Sequence, residues 1–171
     1  YLVEERKISP YLVDKAMARG AIIPIRHDPN LHKHAPSEGR KRPLPLNVGF
    51  VLLSHETNKP IAYAKRGVTG SFKLNLGPKV QSGFRIGRFS RDSAALMLTE
   101  SPIESLSAYS VVEKKFGKEV ADQICIMGLC GTCNPEHVIE EAKKRGITRV
   151  VAAFNNDPAG RRYNADTIEA A

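Results

Sequence analysis

Val150-Val151-Ala152-Ala153-Phe154-Asn155-Asn156-Asp157-Pro158-Ala159-Gly160 is the stretch on which the fold prediction rests. Five apolar residues, a pattern typical of a strand buried on both faces in a parallel sheet, run directly into a polar turn. Asp157 followed by Pro158 indicates the start of a helix, because aspartate accepts hydrogen bonds from free N–H groups and proline fits the first helical position. The side chains after the strand are therefore predicted at the carboxyl edge of a sheet, where open α/β sheets bind ligands.

Residues 94–104 have the same order: an apolar run ends in Glu100, and Ser-Pro then begins a helix. If both strands lie in one parallel sheet, Glu100, Asn155 and Asp157 meet at one edge. Their oxygens are of the kind that Mg²⁺ prefers in proteins. The alternative is that Asp157 only caps its helix and that Glu100 is only a carboxylate favoured near a helix start.

The composition indicates a globular protein of one domain or two small ones, because the 171 residues are 42% hydrophobic. No apolar run approaches the roughly 20 residues of a membrane span, and no signal-peptide pattern is present. Three cysteines are few and odd in number. We therefore expect a reduced, cytoplasmic protein with no membrane partner.

The positive charge is concentrated in one part of the chain. The net charge is +8, and residues 57–91 contain eight basic residues and no acid. Such a segment attracts polyanions, so nucleic acid is the first partner to consider. A solvated basic surface is the alternative. The eight residues are Lys59, Lys65, Arg66, Lys73, Lys79, Arg85, Arg88 and Arg91.

The first half of the chain is predicted to be a small helix followed by β-structure. The helix covers residues 10–20, and two strands cover 48–53 and 61–65. Residues 26–46, between the helix and the first strand, contain His27, His32 and His34. We favour a basic loop over a metal site for this segment. The helix is expected to bury Leu12, Val13, Ala16 and Met17.

The second half alternates strands and helices, which implies parallel strands with right-handed crossovers. The helix that follows Ser101 is expected to bury Ile103, Leu106, Ser107, Ser110 and Val111. The predicted strands are 94–99, 123–127 and 149–154, and the predicted helices are 102–116, 135–145 and 158–171.

The cysteines allow two interpretations. Cys130, Cys133, His137 and Cys125 place four possible zinc ligands within thirteen residues. However, Cys125 lies inside a predicted buried strand, so we favour reduced thiols over structural zinc.

Three segments together resemble the Toprim domain. Residues 98–107 resemble its first motif, a strand ending in glutamate with a second acid four residues later, and residues 155–160 resemble its Asp-x-Asp motif. Residues 128–132 resemble the glycine-containing loop between them. Upstream, residues 1–20 are similar to the helical element before Toprim in bacterial DnaG-type primases. Residues 47–87 are similar to the β-rich segment of primase-like Toprim proteins of plasmids and mobile elements.

The resemblance implies an α/β fold with a Toprim-type parallel sheet flanked by helices. The Toprim part would cover residues 94–171 and continue beyond them, preceded by a helical and β-rich basic part over residues 1–93. It also implies phosphoryl or nucleotidyl transfer on nucleic acid, in a reaction that depends on Mg²⁺ or Mn²⁺.

The resemblance assigns roles to four residues of the chain. Glu100 would be the general acid/base or a metal-organising group, and Asp157 a metal ligand. Asn155 stands where the first aspartate belongs, which lowers the negative charge of the site. Glu104, one helical turn after Glu100, would add charge to the same site.

The function implied is primer synthesis on single-stranded DNA from nucleoside triphosphates, in replication or mobile-element maintenance, with a replicative helicase or relaxase domain as a further partner. The alternatives are a non-catalytic nucleic-acid-binding module, which the Asn155 replacement favours, and nuclease- or topoisomerase-type phosphodiester chemistry. Tyr109 and Tyr163, the candidate tyrosines for the latter, are expected to be packing residues. Phosphates would be held near the acidic edge by Lys65, Arg66, Arg85, Arg88, Arg91 and Arg161.

Overall fold

A computed structural model describes residues 1–26, 46–68, 72–78, 80–130 and 135–171. The predicted histidine loop and the cysteine at position 133 lie outside these residues. Within them the helices are α1 (Pro10–Ala18), α2 (Pro102–Phe116), α3 (Lys118–Asp122), α4 (Pro135–Lys144) and α5 (Pro158–Ala170). The strands are β1 (Ile22–Arg26), β2 (Leu46–Ser54), β3 (Pro60–Gly67), β4 (Lys73–Leu76), β5 (Ser82–Ile86), β6 (Ala95–Thr99), β7 (Ile124–Gly128) and β8 (Val150–Ala152).

One mixed sheet contains all eight described strands, in the order β4-β3-β2-β5-β7-β6-β8, with β1 paired to β2. Strand β6 pairs in parallel with both β7 and β8, as the strand–helix alternation predicts. The remaining pairs are antiparallel. Within the described residues, no helix is long and apolar enough to cross a membrane.

Strand β5 joins the two predicted parts of the chain. It pairs with β2 on one side and with β7 on the other, so the sheet is continuous across the predicted boundary at residues 93 and 94. Strands β4 and β5 both form in the glycine-containing segment that follows β3, where the sequence analysis places no strand. Strand β4 pairs with the neighbouring β3, whereas the partners of β5 are distant in sequence. Gly83 lets β5 approach β7, because a Cβ at this position would lie 2.8 Å from Met127 Cγ.

The prediction that the strand beginning at Val150 is buried on both faces is wrong. Strand β8 is three residues long and lies at the end of the sheet, beside β6. Val151 is 40% exposed, whereas Phe154, after the strand, is buried against the ring of Tyr163. A continuous apolar run records hydrophobicity but not the number of neighbouring strands.

Helix α2 begins and ends where the sequence predicts, but it buries a different face. Its Ser101 cap accepts a hydrogen bond from the Glu104 backbone N–H. Val111, predicted to be in the core, is 63% exposed, because the buried side is centred on Leu106 and Tyr109. The buried residues of α2 are Pro102, Ser105, Leu106, Tyr109 and Val112.

The packing role predicted for Tyr109 is confirmed. Its side chain is 1% exposed, and its hydroxyl donates to Asp122 Oδ1 at 2.8 Å. In helix α1 the predicted core positions are also buried, except that Met17 is 46% exposed.

A buried histidine links the β2–β3 turn to helix α4. His55 is 2% exposed, and its ring lies 5.8 Å from that of His137 in an edge-on arrangement. The Arg145 guanidinium donates to the His55 carbonyl at 2.9 Å. Burial, helped by the nearby His137 and Arg85 and opposed by Glu141, lowers the pKa of His55 to about 4.

We expect His55 to make folding sensitive to acid. The pKa of His55 is about 4 in the folded chain and has its ordinary value of 6.5 in the unfolded chain. The contribution of the neutral His55 to the free energy of unfolding is therefore fully present above pH 6.5. It is lost as the pH falls towards 4, by about 3 kcal/mol in total. Urea unfolding of the wild type and of His55→Gln between pH 7 and pH 4 measures this. The variant should lose less stability over that range; equal losses would show that His55 does not carry the dependence.

Candidate active site

Two acidic residues and one asparagine meet at the carboxyl edge of the parallel strands. Glu100 follows β6, Glu104 lies in the first turn of α2, and Asn155 follows β8. Asn155 Nδ2 donates to Glu100 Oε2 at 2.8 Å and to Glu104 Oε1 at 3.3 Å. The parallel register therefore brings together side chains that are more than fifty residues apart in the sequence.

The environment of Glu104 disfavours its charge. Burial raises the pKa of Glu104, and the neighbouring Glu100 carboxylate raises it further. The Asn155 amide and the backbone N–H groups of Ser101 and Glu100 oppose this. Glu104 Oε2 is buried and has no hydrogen-bond partner among the described residues. A buried carboxylate oxygen without a partner is costly, and a cation or a bound water would satisfy it.

Asp157 lies on the same turn as Asn155 but serves the helix. Its Oδ1 accepts a hydrogen bond from the Gly160 N–H at 2.7 Å, so it is the N-cap of α5. The side chain is exposed. Among the residues that the structure describes, no group of three or more His, Cys, Asp or Glu side chains is placed to hold a metal ion. The role of Asp157 as a metal ligand stays a prediction.

Two glycines allow the loops of the site to approach each other. A Cβ on Gly128 would lie 2.7 Å from the Ser101 carbonyl group and from Ser105 Oγ. A Cβ on Gly160 would lie 2.7 Å from the Asn155 carbonyl carbon and closer still to its oxygen. Both glycines occur in the motifs quoted above, but their spacing does not indicate which backbone they contact.

A buried hydroxyl pair supports the turn before α2. Thr99 Oγ1 and Ser105 Oγ are 2.8 Å apart, and both side chains are almost fully buried. Ser105 also donates to the Ser101 carbonyl at 3.2 Å. Sequence reasoning missed these residues, because isolated threonine and serine are ordinary at strand ends and in the first turns of helices.

The predicted phosphate-binding residues are divided between several places. Arg66 is 8% exposed, and its Nη1 donates to the Lys65 carbonyl and to Asn75 Oδ1, both at 2.9 Å. It therefore braces β3 against β4. Lys65 lies over the ring of Phe72 on the same part of the sheet. Arg161 is exposed and donates to the Asn156 carbonyl at 3.2 Å, beside the turn that carries Asn155.

The expected nearness of Arg88 and Arg91 to the acidic edge is wrong. Strand β5 runs antiparallel to β7, so the residues after it lie at the amino ends of the parallel strands. Arg91 accordingly lies against Gly146, before β8. Arg85, within β5, donates to Asn58 Oδ1 at 2.8 Å. Burial, helped by the charge of Arg145, lowers the pKa of Arg85, whereas Cys125 opposes this shift. The binding of phosphates by these residues stays a prediction.

The two described cysteines lie in the interior. Cys125 lies in β7 as expected, and burial raises its pKa to about 12. Cys130 is also buried and has a left-handed backbone with φ 57°.

No protein-family model and no curated protein matches the sequence. Among solved structures, the chain is similar to the crystal structure of the primase fragment of the bacteriophage T7 primase-helicase protein, with a TM-score of 0.56 and 12% sequence identity. The similarity covers 96% of this chain. The fold is primase-like. The chain spans 57% of the chain of the T7 fragment, and at this identity the likeness extends to the fold alone.

Proposed function

We propose that this chain belongs to a primase-like Toprim protein that catalyses Mg²⁺-dependent nucleotidyl transfer on a single-stranded DNA template. The observation that carries the proposal is the pairing of Glu100 and Glu104 at the carboxyl edge of the sheet in a primase-like fold. Ligands of open α/β sheets bind at this edge. The nucleic-acid partner is in keeping with the net charge of +8.

The donor set fits a divalent cation. Glu100 and Glu104 supply two carboxylates, and the unpartnered oxygen of Glu104 leaves one position without a hydrogen bond. Mg²⁺ in phosphoryl-transfer sites is commonly held by one or two carboxylates together with substrate phosphates. When bound, the ion would supply charge neutralisation and alignment of the reacting phosphates.

The residues of the chain have separate tasks in this proposal. Asn155 holds the two carboxylates side by side by donating to both. Its amide must rotate to present its oxygen to a cation. Glu100 accepts the proton of the attacking hydroxyl or orders the metal. Arg161, exposed beside the same turn, contacts the phosphates of the nucleotide.

Primer synthesis by the wild type and by Asn155→Asp tests the proposal directly. The full-length protein is incubated with single-stranded DNA, labelled nucleoside triphosphates and Mg²⁺. We expect short products from the wild type. We expect Asn155→Asp to make product at lower Mg²⁺ concentration, because a third carboxylate strengthens cation binding. A Thr148→Asp variant, which adds the same charge at an exposed position before β8 and away from the acidic edge, serves as the control and should not change the Mg²⁺ requirement. Absence of product from both the wild type and Asn155→Asp would remove primer synthesis.

One observation favours a second function, a nucleic-acid-binding module without catalysis. The Asn155 amide directs its N–H group, not its oxygen, at both carboxylates. This arrangement neutralises part of their repulsion without an ion. Absence of Mg²⁺ or Mn²⁺ binding at millimolar concentration, with DNA affinity that falls steeply with salt, would support this function over the first.

A further inference from the structure

A cavity lies at the opposite end of the sheet from Glu100. Strands β1 and β5 share one edge of β2: β1 pairs with Leu46–Phe50, whereas β5 pairs only with Leu53 and Ser54. Beyond these pairs β5 turns towards β7, and a wedge opens between β5 and the end of α1. The wedge contains a cavity of about 570 Å³, a size within the range of small-molecule sites.

The position of this cavity separates it from the acidic site. Its wall includes Ser93, just before β6, and Gln123, just before β7. Glu100 follows the other end of β6. A strand of five residues is about 16 Å long, so the two sites face opposite edges of the sheet.

Cationic side chains from three segments converge on the cavity. Lys15 and Arg19 come from the end of α1, Arg85 from β5 and Arg88 from the following loop. Within the described part of the chain, the guanidinium groups of the exposed Arg19 and Arg88 make no side-chain hydrogen bond or ion pair. Lys15 is held by Asp122 at 3.0 Å. Two carboxylates, Asp92 and Asp122, face the four cations, so the cavity is net positive.

The same cavity has an apolar wall. Val51 and Leu53 of β2 line it together with Pro60, the first residue of β3, and all three are partly or fully exposed. Leu12 of α1 closes the opposite side. A site that only binds free phosphate needs no such surface, whereas a ligand that carries both phosphates and a flat, weakly polar ring system uses both walls.

We propose that this wedge is a second nucleotide-binding site, distinct from the acidic edge and independent of the proposed primer synthesis. The phosphates lie against Arg19 and Arg88, and the base packs on Val51, Leu53 and Pro60. Binding needs no divalent cation, because the charge of the phosphates is met by the arginines directly.

Fluorescence titration of the full chain with an N-methylanthraniloyl derivative of ATP, in EDTA and at low salt, tests the site. The double variant Arg19→Ala/Arg88→Ala should bind this probe at least tenfold more weakly, because two charge-assisted contacts are removed. Both residues are exposed, so its thermal unfolding should match that of the wild type. Arg149→Ala, at an exposed arginine outside the cavity, is the matched control and should bind as the wild type does.

Competition against the bound probe identifies the part of the ligand that the site recognises. ATP should compete at least tenfold better than adenosine, and several-fold better than inorganic tripolyphosphate. Equal competition by ATP and tripolyphosphate would overturn the assignment to a nucleotide. Unchanged binding in the double variant, or loss of binding in Glu104→Gln instead, would overturn the location. Retained binding in a protein that makes no primer would leave this inference standing while the proposed function fails.

Discussion

Replacing Gly160 by alanine is expected to destabilise the fold by about 2 kcal/mol and to disrupt the acidic edge. Alanine favours a helix over glycine by about 1 kcal/mol. Forcing an extra methyl group into a well-packed site costs about 1–3 kcal/mol or more, and this cost opposes the gain in helix propensity. Here the added methyl group meets the backbone of Asn155 rather than a side-chain end that could rotate away. The clash should therefore exceed the gain in helix propensity, and Asn155 should move away from Glu100 and Glu104.

Urea unfolding and primer synthesis measure the two effects of Gly160→Ala. The urea concentration at the midpoint of unfolding should fall, with little change in the slope of the unfolding free energy against urea. Primer synthesis should also fall in conditions where the variant is still folded. Ala159→Ser is the control, because residue 159 is exposed in the same turn and should change stability by less than about 0.5 kcal/mol. A stabilised Gly160→Ala protein would contradict the close approach of the α5 turn to Asn155.

Replacing Glu104 by glutamine is expected to lower primer synthesis by about a hundredfold or more while raising stability at neutral pH. The activity falls because a carboxylate that would hold the cation becomes a neutral amide. The stability rises because burial and the neighbouring Glu100 disfavour the charged form of Glu104 in the folded chain.

The pH dependence of this gain has a defined sign. Since the pKa of Glu104 is raised on folding, the ionised side chain weakens the folded state as the pH rises through that pKa. Below the ordinary pKa of glutamate the side chain is protonated in both states, so the variant and the wild type should have the same stability. Thermal unfolding at several pH values measures the difference.

Glu5→Gln is the matched control for the Glu104 experiment, because Glu5 is an exposed glutamate near the amino terminus. It should change neither primer synthesis nor the pH profile of unfolding. If Glu104→Gln lowered stability at neutral pH and kept full activity, the acidic pair would be a structural feature and the catalytic proposal would lose its main support.

Local sequence signals predicted the ends of elements better than the faces that the elements bury. Ser101-Pro102 and Asp157-Pro158 mark the starts of α2 and α5, because capping depends on a few neighbouring residues. The buried side of α2 depends on which residues the sheet presents to it. A hydroxyl pair with Thr99 satisfies Ser105 in the interior, whereas the apolar Val111 faces solvent.

The positions of the charged residues also divide into those that local sequence signals predict and those that depend on strand pairing. The meeting of Glu100 and Asn155 follows from parallel strands, and this could be predicted from the alternation of strands and helices. The location of Arg88 could not be predicted, because it depends on the direction of β5. The sequence pattern did not indicate that β5 is a strand. The antiparallel pairing of β5 with β7 directs Arg88 to the end of the sheet away from Glu100.

The amino-acid sequence by itself determined the caps, the alternating strands and helices, the parallel direction of β6, β7 and β8, and the basic charge of residues 57–91. These properties depend on short-range backbone chemistry and on composition. Only the tertiary structure decided that β8 lies at the end of the sheet, that Asn155 bridges Glu100 and Glu104, and that four cations line a wedge between α1 and β5. These features depend on pairings between strands that are distant in the chain, and such pairings are selected by the packing of the whole sheet rather than by any one segment.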